Sequence, residues 1–475
     1  MKSLSKNYLY NLSYQILTLL TPLITTPYIS RTLGVGGIGE YSFSYSIVAY
    51  FVLLAQFGIA NFGQREIAYH QEDKEAQSRI FFETISFQIL TVSLSLVCYY
   101  ILGIEWGVDS QIYWVQALNI VAVLFDVSWF FQELEEFGKI VTRNFIVRLA
   151  NIAFLFLFIK SPDDLILYTF IMGGMNVVSG ILICLFLKDY IHRVPLNEIH
   201  PFRNWLPIFQ LFLPQIAIQI YVVLDKTMLG FMANDFTENG YYEQADKIIK
   251  MLLTIATSLG TVMLPRMASM VAKGEMETVK KFMMNSYRFS FFLTIPMSFG
   301  LITVAPNFVP WFFGPGYEPV SSVLAIISTM LIAVGISNVT GIQFMIPTNR
   351  QNQLTLSVIV GAIFNFAVNL YLIPHFYSTG VAIATVLTEW LVTFVQFYLV
   401  KDFFKVSDIL SQGKNYLLGG LVMLVITGTI SYYLTPSIIH SLFITLVGCG
   451  VYGSILVILK DEMVFLFLDK VKAKF

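Results

Sequence analysis

Apolar stretches of about 18 residues or more recur from one end of this chain to the other, and no other feature narrows the fold so far. Each is long enough for a helix to cross roughly 30 Å of hydrocarbon. Inside a bilayer the backbone finds no water to bond, so only helices or closed barrels span it. A spanning barrel would show alternating segments of about ten residues, whereas the runs here are continuous, so the chain reads as an all-α polytopic membrane protein. Composition agrees where it bears on the question. Only 12% of the 475 residues are charged, about half the soluble average of roughly 25%, too little to coat a soluble particle of that length.

Polar and Gly/Pro breaks divide the apolar runs into about fourteen spans. Their expected limits are Tyr8–Ser30, Tyr41–Phe62, Ile80–Gly103, Gln111–Phe131, Phe145–Ile159, Leu165–Leu187, Trp205–Phe231, Tyr241–Met263, Met284–Val304, Val320–Met345, Leu354–Ile373, Gly380–Val400, Tyr416–Leu434 and Ile438–Leu459. The Lys and Arg residues test this count. With a cytoplasmic N-terminus, only Arg31, Lys160, Lys226, Lys247 and Lys250 of the 29 basic residues point outward. One missed helix would scramble that alternation, so the positive-inside rule supports both orientation and count. Both termini are expected in the cytoplasm, and the basic tail Asp469–Phe475 reads as an interfacial segment on an anionic leaflet. Trp106, Trp114, Trp129, Trp205 and Trp311 are placed near interfaces, as belt anchors.

Several function classes drop out. The net charge of −1 leaves no basic footprint for nucleic acid. Cys98, Cys184 and Cys449 lie far apart inside apolar runs and read as small hydrophobes. No phosphate-binding G-x-x-x-x-G-K-[ST] string occurs, and no His/Cys cluster has metal-ligand spacing. Neither a catalytic residue, a metal nor a cofactor is expected. The string GVGGIG (Gly34–Gly39) fits G-x-G-x-x-G literally, but it follows a membrane helix instead of a strand. It reads as a turn joining two spans.

The loop Lys188–Asn204, with Pro195 and Pro201, separates six spans from the next six. The expected organisation is an N-terminal six-helix bundle over 1–188, a cytoplasmic linker over 189–204, a second six-helix bundle over 205–401, and two further helices with the tail over 402–475. The halves share faint similarity at one offset, 201 residues (240 − 39), which aligns Gly39 with Gly240, Arg65 with Arg266 and Phe81 with Phe282. Parallel repeats of this kind suit alternating access to a central cavity.

An ionisable residue inside a span costs at least about 2.5–3.5 kcal/mol near the helix centre, so each needs a partner or a wet cavity. Arg31 and Lys226 occupy equivalent outer ends of the first helix of each half, and Lys247 and Lys250 follow on one face of the next helix. Clustered outer cations suit an anionic substrate such as a diphosphate. Against that stands local neutralisation, because Glu243/Lys247 and Asp246/Lys250 have i,i+4 spacing. Asp126, in the inner half of the fourth span, is a cavity residue or a structural salt-bridge partner. Glu389, mid-span beside Trp390, is the first candidate for ion coupling, with a helix–helix hydrogen bond as the competing account. Asp225, Glu243 and Glu83 complete the set of carboxylates for coupling or gating.

Specific strings carry a resemblance. SRTLGVGGIGEYSFSYSI (Ser30–Ile47), QFGIANFGQREIA (Gln56–Ala68), DVSWFFQELEEFGKIVTRN (Asp126–Asn144), LDKTMLG (Leu224–Gly230), GYYEQADKIIK (Gly240–Lys250), VMLPRMA (Val262–Ala268), WFFGPGYEPV (Trp311–Val320) and GIQFMIPTNR (Gly341–Arg350) are among them. Together with the STGVAIATVLTE run ending at Glu389, they resemble Wzx-type flippases for lipid-linked polysaccharide repeat units. That family lies within the multidrug/oligosaccharidyl-lipid/polysaccharide exporter superfamily. The resemblance extends to about Val400, and it departs at Glu133, where the family usually has Gly. It implies a V-shaped pair of six-helix bundles around a cationic cavity in a bacterial plasma membrane. It also implies transfer of undecaprenyl-diphosphate-linked oligosaccharide to the outer leaflet, with polysaccharide polymerase and chain-length machinery as partners. Two other functions stay in view. An ion-coupled multidrug antiporter would want an acidic cavity, and a repeat-unit polymerase would want a long outer catalytic loop.

Overall fold

The computed structural model describes residues 4–105, 111–233 and 235–465. Among them helix is the only regular structure, and the chain divides into two compact units, Met1–Thr227 and Met228–Phe475. Eleven helices among the described residues are long and apolar enough to cross a membrane.

The first unit contains α1 (Leu4–Gln56), α2 (Ile59–Tyr69), α3 (Lys74–Glu105), α4 (Gln111–Gln116), α5 (Leu118–Leu124), α6 (Ser128–Glu133), α7 (Phe137–Phe158), α8 (Leu165–Cys184) and most of α9 (Trp205–Met232). At 53 residues α1 is about twice the length a bilayer needs, and it breaks at Gly34, where φ is 70° and ψ 173°. A residue without Cβ adopts that φ at no steric cost. The glycine-rich string therefore makes a one-residue break between two helical segments, not the loop its composition suggests. One core joins Ile29, Leu33 and Ile38 of α1 to Leu155 of α7 and Tyr168, Ile171 and Met175 of α8.

The second unit holds the end of α9, then α10 (Thr237–Ala272), α11 (Met276–Phe313), α12 (Val320–Ile327), α13 (Met330–Asn338), a π-helical turn (Val339–Met345), α14 (Gln351–Leu399), α15 (Val406–Ser411), α16 (Lys414–Tyr433) and α17 (Ile438–Ile458). The 49-residue α14 breaks at Tyr377, where φ is 47° and ψ −127°. Polar groups fasten the last two helices onto α11. Asn307 donates to the carbonyl and hydroxyl of Ser431 at 3.1 and 2.7 Å, and Ser431 donates to the Thr303 carbonyl at 2.6 Å. Hydrogen bonds and close backbone approach are what hold helices together where lipid removes the hydrophobic drive between them. Large apolar side chains such as Leu157, Ile363, Leu446 and Ile458 point outward, the pattern of a lipid-facing surface.

Several expectations change in detail. The fourth span is not one helix: α4, α5 and α6 follow one another, with a break at Phe125–Val127. The cause is Asp126, whose Oδ1 accepts from the Ser128 backbone N–H and hydroxyl at 3.1 and 2.6 Å. Such local side-chain bonds compete with the helix ladder. The second span breaks at Phe57–Gly58, both with positive φ, and the short fifth span is a full 22-residue helix, α7. Trp129 is not an interfacial anchor; it is 4% exposed and stacks on Phe81 at 5.9 Å. Cys449 is exposed on α17 instead of buried, yet a thiol on a lipid-facing helix still sits in an apolar medium. Trp106 and the basic tail Asp469–Phe475 lie outside the described residues.

Candidate functional site

The break at Asp126 opens a mostly polar cleft of about 240 Å³ inside the first unit. Tyr45 and Gln56 of α1, Asn119 of α5, Arg143 of α7 and Asn176 of α8 reach it, beside Asp126 and Ser128. Arg143 donates to the Ser128 hydroxyl at 3.0 Å, and that hydroxyl donates to Asp126. Cation and carboxylate are thus joined through one hydroxyl, and each holds the other's rotamer.

A chain of amides fixes further lining residues of the cleft. Ser44 donates to the Tyr41 carbonyl at 3.0 Å, so its oxygen accepts from Gln116 Nε2, also at 3.0 Å. Gln116 Oε1 then accepts from Asn119 Nδ2 at 2.8 Å, and Asn119 Oδ1 accepts from Asn176 Nδ2 at 3.0 Å. Every amide in this series has its direction set by the one before. The last, Asn176, is exposed and lines the cleft, with its Nδ2 committed to Asn119.

The cations expected on the outer side occupy differing environments. Arg31 is exposed on α1, three residues before the Gly34 break. Lys226 is half-buried on α9 beside buried Asp225. Its other neighbour, Thr227, is held between Ser46 and Tyr50 of α1 at 3.0 and 3.1 Å. On α10, Lys247 Nζ lies 3.4 Å from Glu243 Oε1 and Lys250 Nζ 2.7 Å from Asp246 Oδ2. The carboxylates are buried while the lysine side chains remain 32% and 51% exposed. Local neutralisation, one of the two readings of that spacing, is therefore what the geometry displays, and an anion would share these cations with their carboxylates.

Glu83 sits elsewhere, 3% exposed on α3 against the segment that joins α8 to α9. It accepts from the His200 backbone N–H at 3.4 Å and from Asn204 Nδ2 at 3.2 Å, with Arg203 at 3.9 Å. A second tie, from the His192 N–H to Ser78 Oγ at 3.0 Å, lies on the same helix. The Tyr190 hydroxyl adds a third, donating to Glu136 at 2.6 Å while accepting from Lys139 at 2.7 Å. Burial, and next that bond to Glu136, raise the Tyr190 pKa.

Glu389 is partly buried in the second segment of α14, next to the buried Thr388; its backbone carbonyl accepts from Thr393 at 2.9 Å. Among the described residues no three His, Cys, Asp or Glu side chains gather as a metal site. The second unit also holds an apolar cavity of about 540 Å³ between α11, α16 and α17, lined by residues such as Phe292, Met297, Met423 and Tyr452.

Of the residues singled out from sequence, the structure places Asp126 in the cleft and pairs the α10 lysines with their own helix. Sequence reasoning missed Asn119, Asn176, Gln56 and Arg143. Amides inside apolar spans were the available signal, since a buried amide needs partners as a charge does. Arg143 was hidden because its sign was already explained by orientation.

A multi-span helical protein with a hydrogen-bonding cleft inside one of its units belongs to the class of membrane carriers. Comparison with known families places it further: the chain belongs to the polysaccharide biosynthesis protein family, matched over residues 4–271. Similar curated proteins include a putative O-antigen transporter of Escherichia coli K12, 26% identical over 84% of this chain and 97% of that one. A probable low-salt glycan biosynthesis flippase, Agl15 of Haloferax volcanii, is 21% identical over 81% of each. Among solved structures, the lipid II flippase MurJ in an inward closed conformation shares the fold at a TM-score of 0.76 and 16% identity. That match covers 96% of this chain and 99% of MurJ. An inward-facing multidrug resistance transporter of the MATE family matches at 0.64 and 14% identity, over 86% of this chain and 99% of its own.

Proposed function

We propose that this protein is a flippase that carries undecaprenyl-diphosphate-linked oligosaccharide repeat units from the cytoplasmic to the outer leaflet of a bacterial plasma membrane. The observation that carries the reading is membership of the polysaccharide biosynthesis family by a chain whose curated relatives are O-antigen transporters and a glycan flippase. Those relatives are carriers, not enzymes.

In this reading Arg31 and Lys226 hold the diphosphate, whose charge cannot cross hydrocarbon uncompensated. Lys247 and Lys250 assist by exchanging part of their contact with Glu243 and Asp246. Glu389 and Asp225 serve coupling, and Glu83 serves gating, because its oxygens already hold the linker. Fourteen crossings fit the eleven apolar helices when α1 and α14 each count twice and α9 is added. The offset of 201 (240 − 39) supports a repeat of two six-helix bundles, since it carries Leu4, the start of α1, onto Trp205, the start of α9. It also carries Gly34 onto Asp235, in the turn before α10. Polymerase and chain-length proteins are the partners such a carrier would feed. The MATE likeness keeps an ion-coupled multidrug antiporter as the second reading, but the outer cations disfavour cationic drugs.

Deleting the gene tests the proposal. Lipid-linked repeat units should accumulate in the inner leaflet and surface polysaccharide should fall. Drug sensitivity without either change would mean the antiporter reading is the correct one.

A further inference from the structure

The cleft at Asp126 has a chemistry distinct from that of the outer cations. It holds one carboxylate and one guanidinium joined through Ser128, so it carries no surplus charge. A diphosphate would meet Asp126 as a repelling neighbour, and a lone cation would meet Arg143. What the site does offer is directional hydrogen bonding. Asp126 keeps Oδ2 and Asn176 keeps Oδ1 as acceptors, the latter aimed by the amide series that begins at Ser44. Gln56 adds an exposed amide at the rim. Beside them stands an aromatic surface, for Tyr45 is 44% exposed and stacks on Tyr41 with centroids 6.1 Å apart and planes at 18°.

Fixed acceptors and an aromatic face within one cleft match a ring whose rim is O–H and whose faces are C–H. At about 240 Å³ the cleft falls below the usual range of about 300–1,000 Å³ for drug-sized ligands, which suits one ring and not a chain of several. We propose that this cleft is a saccharide subsite, taking one neutral sugar of the glycan. Asp126 and Asn176 accept from vicinal hydroxyls while Tyr45 covers a C–H face. A site built to satisfy hydroxyls discriminates strongly against ligands that lack them, because its own polar groups are then left unpaired. The cleft would therefore select among glycans, while the cations hold the part common to all of them. This inference rests on the flippase reading and deepens it.

The full chain in lipid nanodiscs can be probed by saturation-transfer NMR with neutral hexoses, N-acetylhexosamines and inorganic pyrophosphate as separate probes. Sugar signals are expected, lowered about tenfold by Asn176→Ala and by the isosteric Asp126→Asn, which corresponds to about 1.4 kcal/mol. A Thr445→Val control in the second unit should leave them unchanged. The subsite is overturned if neither sugar class shows transfer, if both variants bind as the parent does, or if pyrophosphate displaces the sugar. The gene deletion separates this failure from the larger one. Accumulated repeat units alongside parental sugar binding by the variants would refute the cleft alone, whereas a deletion strain without accumulation would refute the flippase reading itself.

Discussion

At Gly58 the backbone takes a φ of 78°, and a Cβ built there would lie 2.8 Å from both the Ile208 carbonyl oxygen and the Phe212 nitrogen. Those are backbone atoms of α9 and cannot rotate aside. Gly58→Ala should therefore cost about 1–3 kcal/mol from the conformation alone, with the clash added, and a lowered melting temperature in detergent would register it. At Glu83 the argument concerns bonds. His200 and Asn204 both donate to its carboxylate, while Arg203, 58% exposed, contributes little across 3.9 Å. Glu83→Ala leaves those two donors, in the segment between α8 and α9, without that acceptor, at a cost of about 1–3 kcal/mol. Trypsin should then cut faster at Arg193 and Arg203, which unchanged digestion rates would contradict. Arg31→Ala and Lys226→Ala should lower surface polysaccharide at normal protein levels if they hold the diphosphate; full export by both would remove them from the mechanism.

At the scale of the element, α16 and α17 are the instructive case. Gly420 lets α16 approach α11 so closely that a Cβ there would meet Ile295 Cγ2 at 2.5 Å. Around it runs a polar seam: Thr427 to Thr303 at 3.1 Å, Asn307 to Ser431 at 2.7 Å, Trp311 to Ser441 at 2.8 Å. Interhelical bonds of this kind average about 0.6 kcal/mol in a membrane, so one loss is tolerable. Asn307→Leu alone should insert and remain folded. Combined with Gly420→Leu it should detach the last two helices, read as protease sensitivity of the connecting turn at 400–413. Equal resistance in the double variant would show that the seam does not hold them. None of this was legible in the sequence, because Thr, Ser and Gly in an apolar run look alike whether they face lipid or a neighbour. The Asp126 break was hidden for a related reason. Hydropathy sums over a span and does not register that one carboxylate bonds the backbone two residues on.

For the whole molecule, the large features were legible and the small ones were not. Apolar length fixed helices over strands, as the structure has them, and the polar gaps near Ser30–Tyr41 and Ile373–Gly380 correctly marked breaks in α1 and α14. Those breaks are sharper than composition implied, one residue each. Parity makes the count testable without resolving every helix. If α1 and α14 each cross twice and α9 crosses once, the total is even and both termini lie on one side. If either long helix crosses only once, the total is odd and the termini lie on opposite sides. Reporter fusions at Gly274, in the turn between α10 and α11, and at Lys460, after α17, should both report the cytoplasm. A fusion at Pro162, between α7 and α8, should report the outside. Arg266, Lys273, Lys280 and Lys281 flank the first of these turns and Lys460 follows the last helix, whereas Lys160 stands alone at the outer one, as the positive-inside rule requires. A reporter at Lys460 that reads outside while the one at Gly274 reads the cytoplasm would make the number of crossings between them odd and return α14 to a single bent crossing.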